Sequence, residues 1–216
     1  MSIRDVGEVY CLDRYIDYLK IYLRKQYSPH ILLLLALAVC SNGVMSYGNL
    51  TLQQSATVFE MYYLFIGIIL FTPLFTAEQD EKIREVVLAK EMSYWKLCLI
   101  RFLFALTVLL VSTAMVLYVL IENGSRTNGL CMWWIACCEM LLVGGVGYMI
   151  SAITNQVLIG YLCAILYYFG SIYGGNKLSV CNVAQMMAGN YHEWPYTLVI
   201  GAMLFTAGFY IRVRRK

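Results

Sequence analysis

From Phe102 to Ile121 the chain runs without a single charged side chain. A stretch of that length and apolarity is long enough to cross a bilayer as a helix, for which about 20 residues are needed and about 17 suffice. Five further apolar stretches can be read around it. They run over 31–47, 61–76, 131–152, 157–173 and 195–211. In lipid a backbone must satisfy its own hydrogen bonds, so these segments are expected to be helices. Composition agrees: 61% of residues are hydrophobic and 13% charged, against about 45–50% and about 25% in soluble domains. The expected fold is therefore all-α and membrane-embedded, with six transmembrane helices in one domain over 1–216.

Residues 8–25 read as an amphipathic helix lying at the interface. Leu12, Ile16, Leu19 and Leu23 recur at helical spacing, and Asp13, Asp17, Lys20 and Arg24 follow one residue behind. Tyr15 and Tyr22 border the apolar stripe, as suits a helix in the headgroup region. Pro29 marks the start of the first span, where a missing N–H costs nothing.

Lys and Arg counts orient the spans. With the N-terminus inside, the inner segments hold Arg4, Arg14, Lys20, Arg24, Lys25, Lys82, Arg84, Lys90, Lys96, Arg101, Arg212, Arg214, Arg215 and Lys216. The outer loops hold only Arg126 and Lys177. Both termini are thus expected in the cytoplasm of a multi-pass cell-membrane protein. The net charge of +3 and the lack of a basic patch interleaved with aromatics speak against a nucleic-acid partner.

The charged stretch Phe75–Lys96 then falls on the cytoplasmic side, within a segment over 77–101. Nine of its 22 residues are Asp, Glu, Lys or Arg. It is too short to build a core of its own, since about 40 residues is the lower limit without staples. A short helix is expected to start near Glu78 or Glu81. Ile83, Val86 and Val87 lie on one side of it, with Asp80, Glu81, Arg84 and Glu85 on the others. Ser93-Tyr94-Trp95 ends the run. Such a segment reads as a docking element or as a solvated loop.

No catalytic constellation is present. There is no phosphate-binding G-x-x-x-x-G-K-[ST], no H-E-x-x-H and no G-x-S-x-G. Eight cysteines form no C-x-x-C, and His30 and His192 are the only histidines, which leaves no zinc pattern. Cys131 and Cys181 alone fall near the outer face, where a disulfide between them is one option. The chain is thus read as neither an enzyme nor a metal protein, with no cofactor of its own.

Glu139 interrupts the fourth span about one-third of the way in. It reads either as a polar contact in a substrate path or subunit seam, or as a Glu snorkelling to the headgroups. Glu60 reads as interfacial, at the outer start of the second span. Gly144, Gly145, Gly147 and Ser151 thin the fourth span, and Gly170-x-x-x-Gly174 ends the fifth. Spacing of this kind lets helix backbones approach. The loop over 174–194 is long and partly apolar, either a re-entrant hairpin or a folded outer cap.

The ordered set of features resembles the permease subunit of a type-2 ABC transporter of the exporter class. The residues that carry the likeness are Pro73-Leu-Phe-Thr-Ala-Glu78, Met92-Ser-Tyr-Trp-Lys-Leu97, Gly147-Tyr-Met-Ile-Ser-Ala-Ile-Thr-Asn155 and the partly apolar loop before the sixth span. The resemblance implies that two permease subunits pair, identical or not, above separate ATPase subunits that bind ATP and Mg. It implies that Glu78, Glu81, Ile83, Arg84, Val87, Ser93, Tyr94 and Trp95 couple the chain to the ATPase. It further implies outward movement of an amphipathic or hydrophobic substrate, such as a peptide or bacteriocin, a drug or a lipid-like molecule. A small secondary transporter or a membrane assembly factor is the alternative reading.

Overall fold

The computed structural model of the protein describes residues 27–79, 94–174 and 182–214, and the side chains of 27–76, 95–174 and 182–214. The interfacial helix expected over 8–25 lies outside the described residues, as does most of the charged stretch.

Helix α1, Ser28–Val44, opens with Pro29 in its first turn. At about 1.5 Å per residue its 17 residues reach about 25 Å, short of the ~30 Å hydrocarbon core. Its only buried residue is Ser41, while Leu32, Leu35 and Val39 are more than 60% exposed. An apolar helix with no buried face is one solvated by lipid or by another helix.

The second span, α2, covers Leu52–Thr76. It starts nine residues before the apolar run that marks it in the sequence. Thr51 caps it: its side chain accepts from the Gln54 N–H while the Gln54 side chain accepts from the Thr51 N–H. This reciprocal box satisfies two orphan donors. The helix widens into π turns over Val58–Tyr63, returns to α over Leu64–Phe71, and tightens to 3-10 over Thr72–Gln79. Pro73, which has no N–H to donate, sits in that last change.

Helix α3, Tyr94–Glu122, is 29 residues long and begins eight residues before the uncharged run, taking Lys96 and Arg101 into the helix. Helix α4 is Leu130–Thr154 and α5 is Val157–Gly174. Between them Asn155 adopts a left-handed conformation, φ +57°. Asn tolerates this better than most residues because its short side chain can bond locally. Helix α6 is Trp194–Arg214. Five helices, α2 to α6, are long and apolar enough to cross a membrane, and α1 is a shorter apolar helix. The described residues thus give an all-helical, multi-pass membrane protein.

Burial separates the centre from the rim. In α2 and α4, 83% and 67% of the apolar window is buried inside the chain, against 33% in α3 and 28% in both α5 and α6. The centre is held together by missing side chains. A Cβ on Gly67 would lie 2.1 Å from the Met140 carbonyl oxygen, and one on Gly144 2.6 Å from the Gly67 oxygen. Gly147 is pressed against Thr72, and Gly160 against the Gly147 carbonyl. Backbones that close exclude any residue but glycine. On the other side of α4, Phe205 of α6 meets Phe71, Phe102 and Tyr148 at ring separations of 4.9–5.0 Å, within the range of favourable aromatic pairs.

Candidate functional site: buried charges at the two ends of the bundle

Glu60 and Glu139 are completely buried. The early start of α2 puts Glu60 about 12 Å along the helix from Leu52, counting 1.5 Å per residue. Its sequence reading as an interfacial residue does not foresee this burial within the chain. Polar Gln53, Gln54 and Ser55 look like loop in the sequence, yet they form the first turns of the span. Thr51-x-x-Gln54 was the signal that marks the true start.

Glu60 lies in the π stretch, an irregularity that re-aims side chains and often accompanies function. Its carboxylate accepts two backbone hydrogen bonds, from the Met186 N–H at 2.6 Å and the Met187 N–H at 2.8 Å. The donors belong to the segment before α6. That segment makes a turn closed by Gly189 N–H to the Met186 carbonyl and Asn190 N–H to the Gln185 carbonyl. Glu60 thus acts as an acidic cap supplied from another element, placed where N–H groups converge. Three more contacts hold the cap. Ser171 Oγ accepts from the Val183 N–H at 2.8 Å and donates to Asn182, and Gln53 donates to the Met187 carbonyl at 2.9 Å. Val183, Gln185 and Met186 are buried under it. Residues 182–193 thus form a cap packed onto the spans. No helical hairpin occurs in residues 182–193.

Glu139 lies next to Glu60. As two ionised groups both are acceptors; the Gln185 N–H approaches both carboxyls but completes no hydrogen bond to either Glu139 oxygen. No Lys or Arg occurs in 52–79, 130–154, 157–174 or 182–193, so the elements around the pair bring no fixed cation. Tyr168 donates to the Met61 carbonyl at 2.8 Å beside it. Tyr191 comes in from the cap, its phenol pushed up by burial first and then by Glu60 and Cys131.

The opposite end of the bundle carries two buried arginines. Arg101 of α3 is 1% exposed and donates to the Leu74 carbonyl at 3.0 Å. Arg212 of α6, 7% exposed, lies with its guanidinium 4.9 Å from the centre of the Phe75 ring. It also donates to Asn155 Oδ1 at the α4–α5 turn. Four places in the chain meet here: the end of α2, the start of α3, the α4–α5 turn and the end of α6. Carbonyls beside a proline-disturbed turn and an Asn carbonyl are good acceptors for planar guanidinium donors. Trp95, 48% exposed, lines an apolar cleft of about 250 Å³ with Phe102, Tyr148 and Phe209.

A third feature is a cleft of about 460 Å³ between α1, α2 and α3, lined by Leu34, Leu35, Tyr63, Val111 and Met115. Its floor is tied by the mutual hydrogen bonds of Ser41, Tyr47 and Tyr63, at 2.6, 3.0 and 3.0 Å.

Of the residues singled out from sequence, Glu139, Gly144 and Gly147 come together where α2 meets α4. Gly170 does not: it faces outward with nothing within 4 Å of an added Cβ. Gly174 ends α5. Glu81, Ile83, Arg84, Val87 and Ser93 lie outside the described residues, as do the side chains of Glu78 and Tyr94. Cys131 is an exposed thiol, and Cys181 lies outside the described residues. Among the described residues no group of three or more His, Cys, Asp or Glu is placed to hold a metal. Comparisons of the chain with family models, with curated proteins and with solved structures gave no match.

Proposed function

We propose that the chain is the membrane permease half of an ATP-driven exporter of the type-2 ABC class. In this reading α1 to α6 are six spans, with both termini and the 77–101 segment in the cytoplasm, as the fourteen-to-two distribution of Lys and Arg favours. The observation that carries the reading is the anchoring of both flanks of the charged stretch. Its leading flank, Leu74 and Phe75, is gripped by Arg101 and Arg212. Arg101 itself belongs to the trailing flank. Arg212 in turn holds Asn155 between α4 and α5. A displacement of the segment is thereby passed to α2, α3, α6 and the α4–α5 turn together. That is the mechanical arrangement required of an element moved by a separate ATPase.

The parts follow. Glu78, Glu81, Ile83, Arg84, Val87, Ser93, Tyr94 and Trp95 form the surface offered to the ATPase, which binds ATP and Mg. A second permease subunit completes the pathway. The apolar character of the spans suits an amphipathic or hydrophobic cargo: a peptide, a drug or a lipid-like molecule. Co-purification tests the reading. The detergent-solubilised chain is expected to bring down an ATPase encoded beside it. Repeated isolation without one removes the proposal.

One observation favours a second reading. A pair of buried carboxyl groups without a fixed cation is the kind of site a small secondary transporter uses for its coupling ion. Transport that persists with no ATPase present and collapses with a protonophore would select it.

A further inference from the structure

Glu60 and Glu139 serve different neighbours. Glu60 must be an acceptor, because two N–H groups of the cap point at it from 2.6 and 2.8 Å. Glu139 is buried as deeply and lies next to Glu60; the Gln185 N–H approaches both carboxyls but completes no hydrogen bond to either Glu139 oxygen. Two bare carboxylates in a site that water does not reach repel each other. One proton between them turns that repulsion into a charge-assisted O–H···O hydrogen bond. Among the described residues, the elements around the pair contain no Lys or Arg to substitute for it. His192, the one histidine of the cap, is exposed.

We propose that Glu60 and Glu139 together form a site for one exchangeable proton beneath the cap. Glu139 carries the proton and donates it to Glu60, which stays charged and receives the Met186 and Met187 N–H groups. The other titratable groups facing the pair are Tyr168 from α5, Tyr191 from the cap and Cys138 from α4. None of them supplies a positive charge when protonated. Loss of the proton leaves two charges in an apolar site, and the cap lifts to admit water. Gain of a second proton weakens Glu60 as an acceptor for the two N–H groups. The cap is thus docked most firmly when the pair holds one proton. The site works in this way whatever energises transport.

Infrared spectroscopy and amide exchange on the purified full-length protein test this. At neutral pH the wild type is expected to show the stretch of a protonated carboxyl group, shifted in D₂O and absent in Glu139→Gln. Raising the pH removes that band. Over the same interval, exchange at Met186 and Met187, corrected for its intrinsic pH dependence, accelerates by about tenfold per pH unit, the slope one proton gives. Glu139→Gln keeps a permanent donor to Glu60, so its cap protection stays level across that interval. A wild type without the band at neutral pH overturns the proposal, as does a band that survives Glu139→Gln. Equal pH profiles in wild type and variant overturn it too. Should Glu139→Gln not fold, the wild type alone decides: band and cap protection lost at one pH support the site, and lost at separate pH values they refute it.

Discussion

The two ends of this bundle both bury charge, and they do so differently. At one end Arg101 and Arg212 are matched to fixed acceptors: a main-chain carbonyl, an Asn oxygen and an aromatic face. At the other, Glu60 is matched to two N–H groups while Glu139 has no fixed donor completing a bond to it and only Glu60 beside it. A buried charge with its partners in place behaves as a joint, strong and costly to break. A buried polar group without them is costly and marks a place where a proton or another group can bind. The arginine end therefore reads as a connector and the acid end as a site.

The seam between the two ends is the most sensitive place. Gly67→Ala would set a methyl group 2.1 Å from the Met140 oxygen and 2.8 Å from the Met140 carbonyl carbon. Both are backbone atoms, so the helices must separate. Overpacking of a core costs about 1–3 kcal/mol, occasionally more; the upper end is expected, with loss of folded protein in size-exclusion profiles. Since α2 reaches both ends, both should fail together.

Within the acid end, Glu60→Leu is expected to cost about 3 kcal/mol, because it orphans two N–H groups at roughly 1–3 kcal/mol each. Thermal unfolding in detergent reads this directly. Arg101→Met comes next, at about 2 kcal/mol, within the range for one hydrogen bond to a charged group. Glu139→Leu should cost about 1.5 kcal/mol, the lower end for one hydrogen bond to a charged group, since it removes the donor to Glu60 but orphans no N–H. A larger loss for Glu139→Leu than for Glu60→Leu would reverse the distinction between the two acids.

The sequence already marks where the membrane chemistry lies. Glu139 stands out as a lone charge in an apolar run, and Gly144 and Gly147 as small residues three apart. Both signals are local, and the structure sets these residues along one seam, the face of α4 that meets α2. Glu60 is misjudged because burial depends on where a helix begins. A polar first turn hides that start, even though the Thr51–Gln54 box announces it. Arg101 and Arg212 enter the charge count as flanking cations, and nothing local shows that they fold back onto Leu74, Phe75 and Asn155. Contacts of that kind join residues far apart in the chain, so they become visible only in three dimensions. The docking of Met186 and Met187 on Glu60 is hidden for the same reason: a backbone N–H leaves no trace in a sequence. Gly170 belongs to a small-residue spacing that meets no neighbour among the described residues of the chain.

The connector matters only if something pushes on it. The permease reading stands or falls with ATP hydrolysis by the reconstituted complex of this chain and its partner ATPase. Transport is predicted to depend on that hydrolysis in the wild type. In Ile83→Asp and Val87→Asp, hydrolysis is predicted to continue while transport is lost, at unchanged expression. Full transport in both variants would show that the charged stretch is not the element through which the chain is driven.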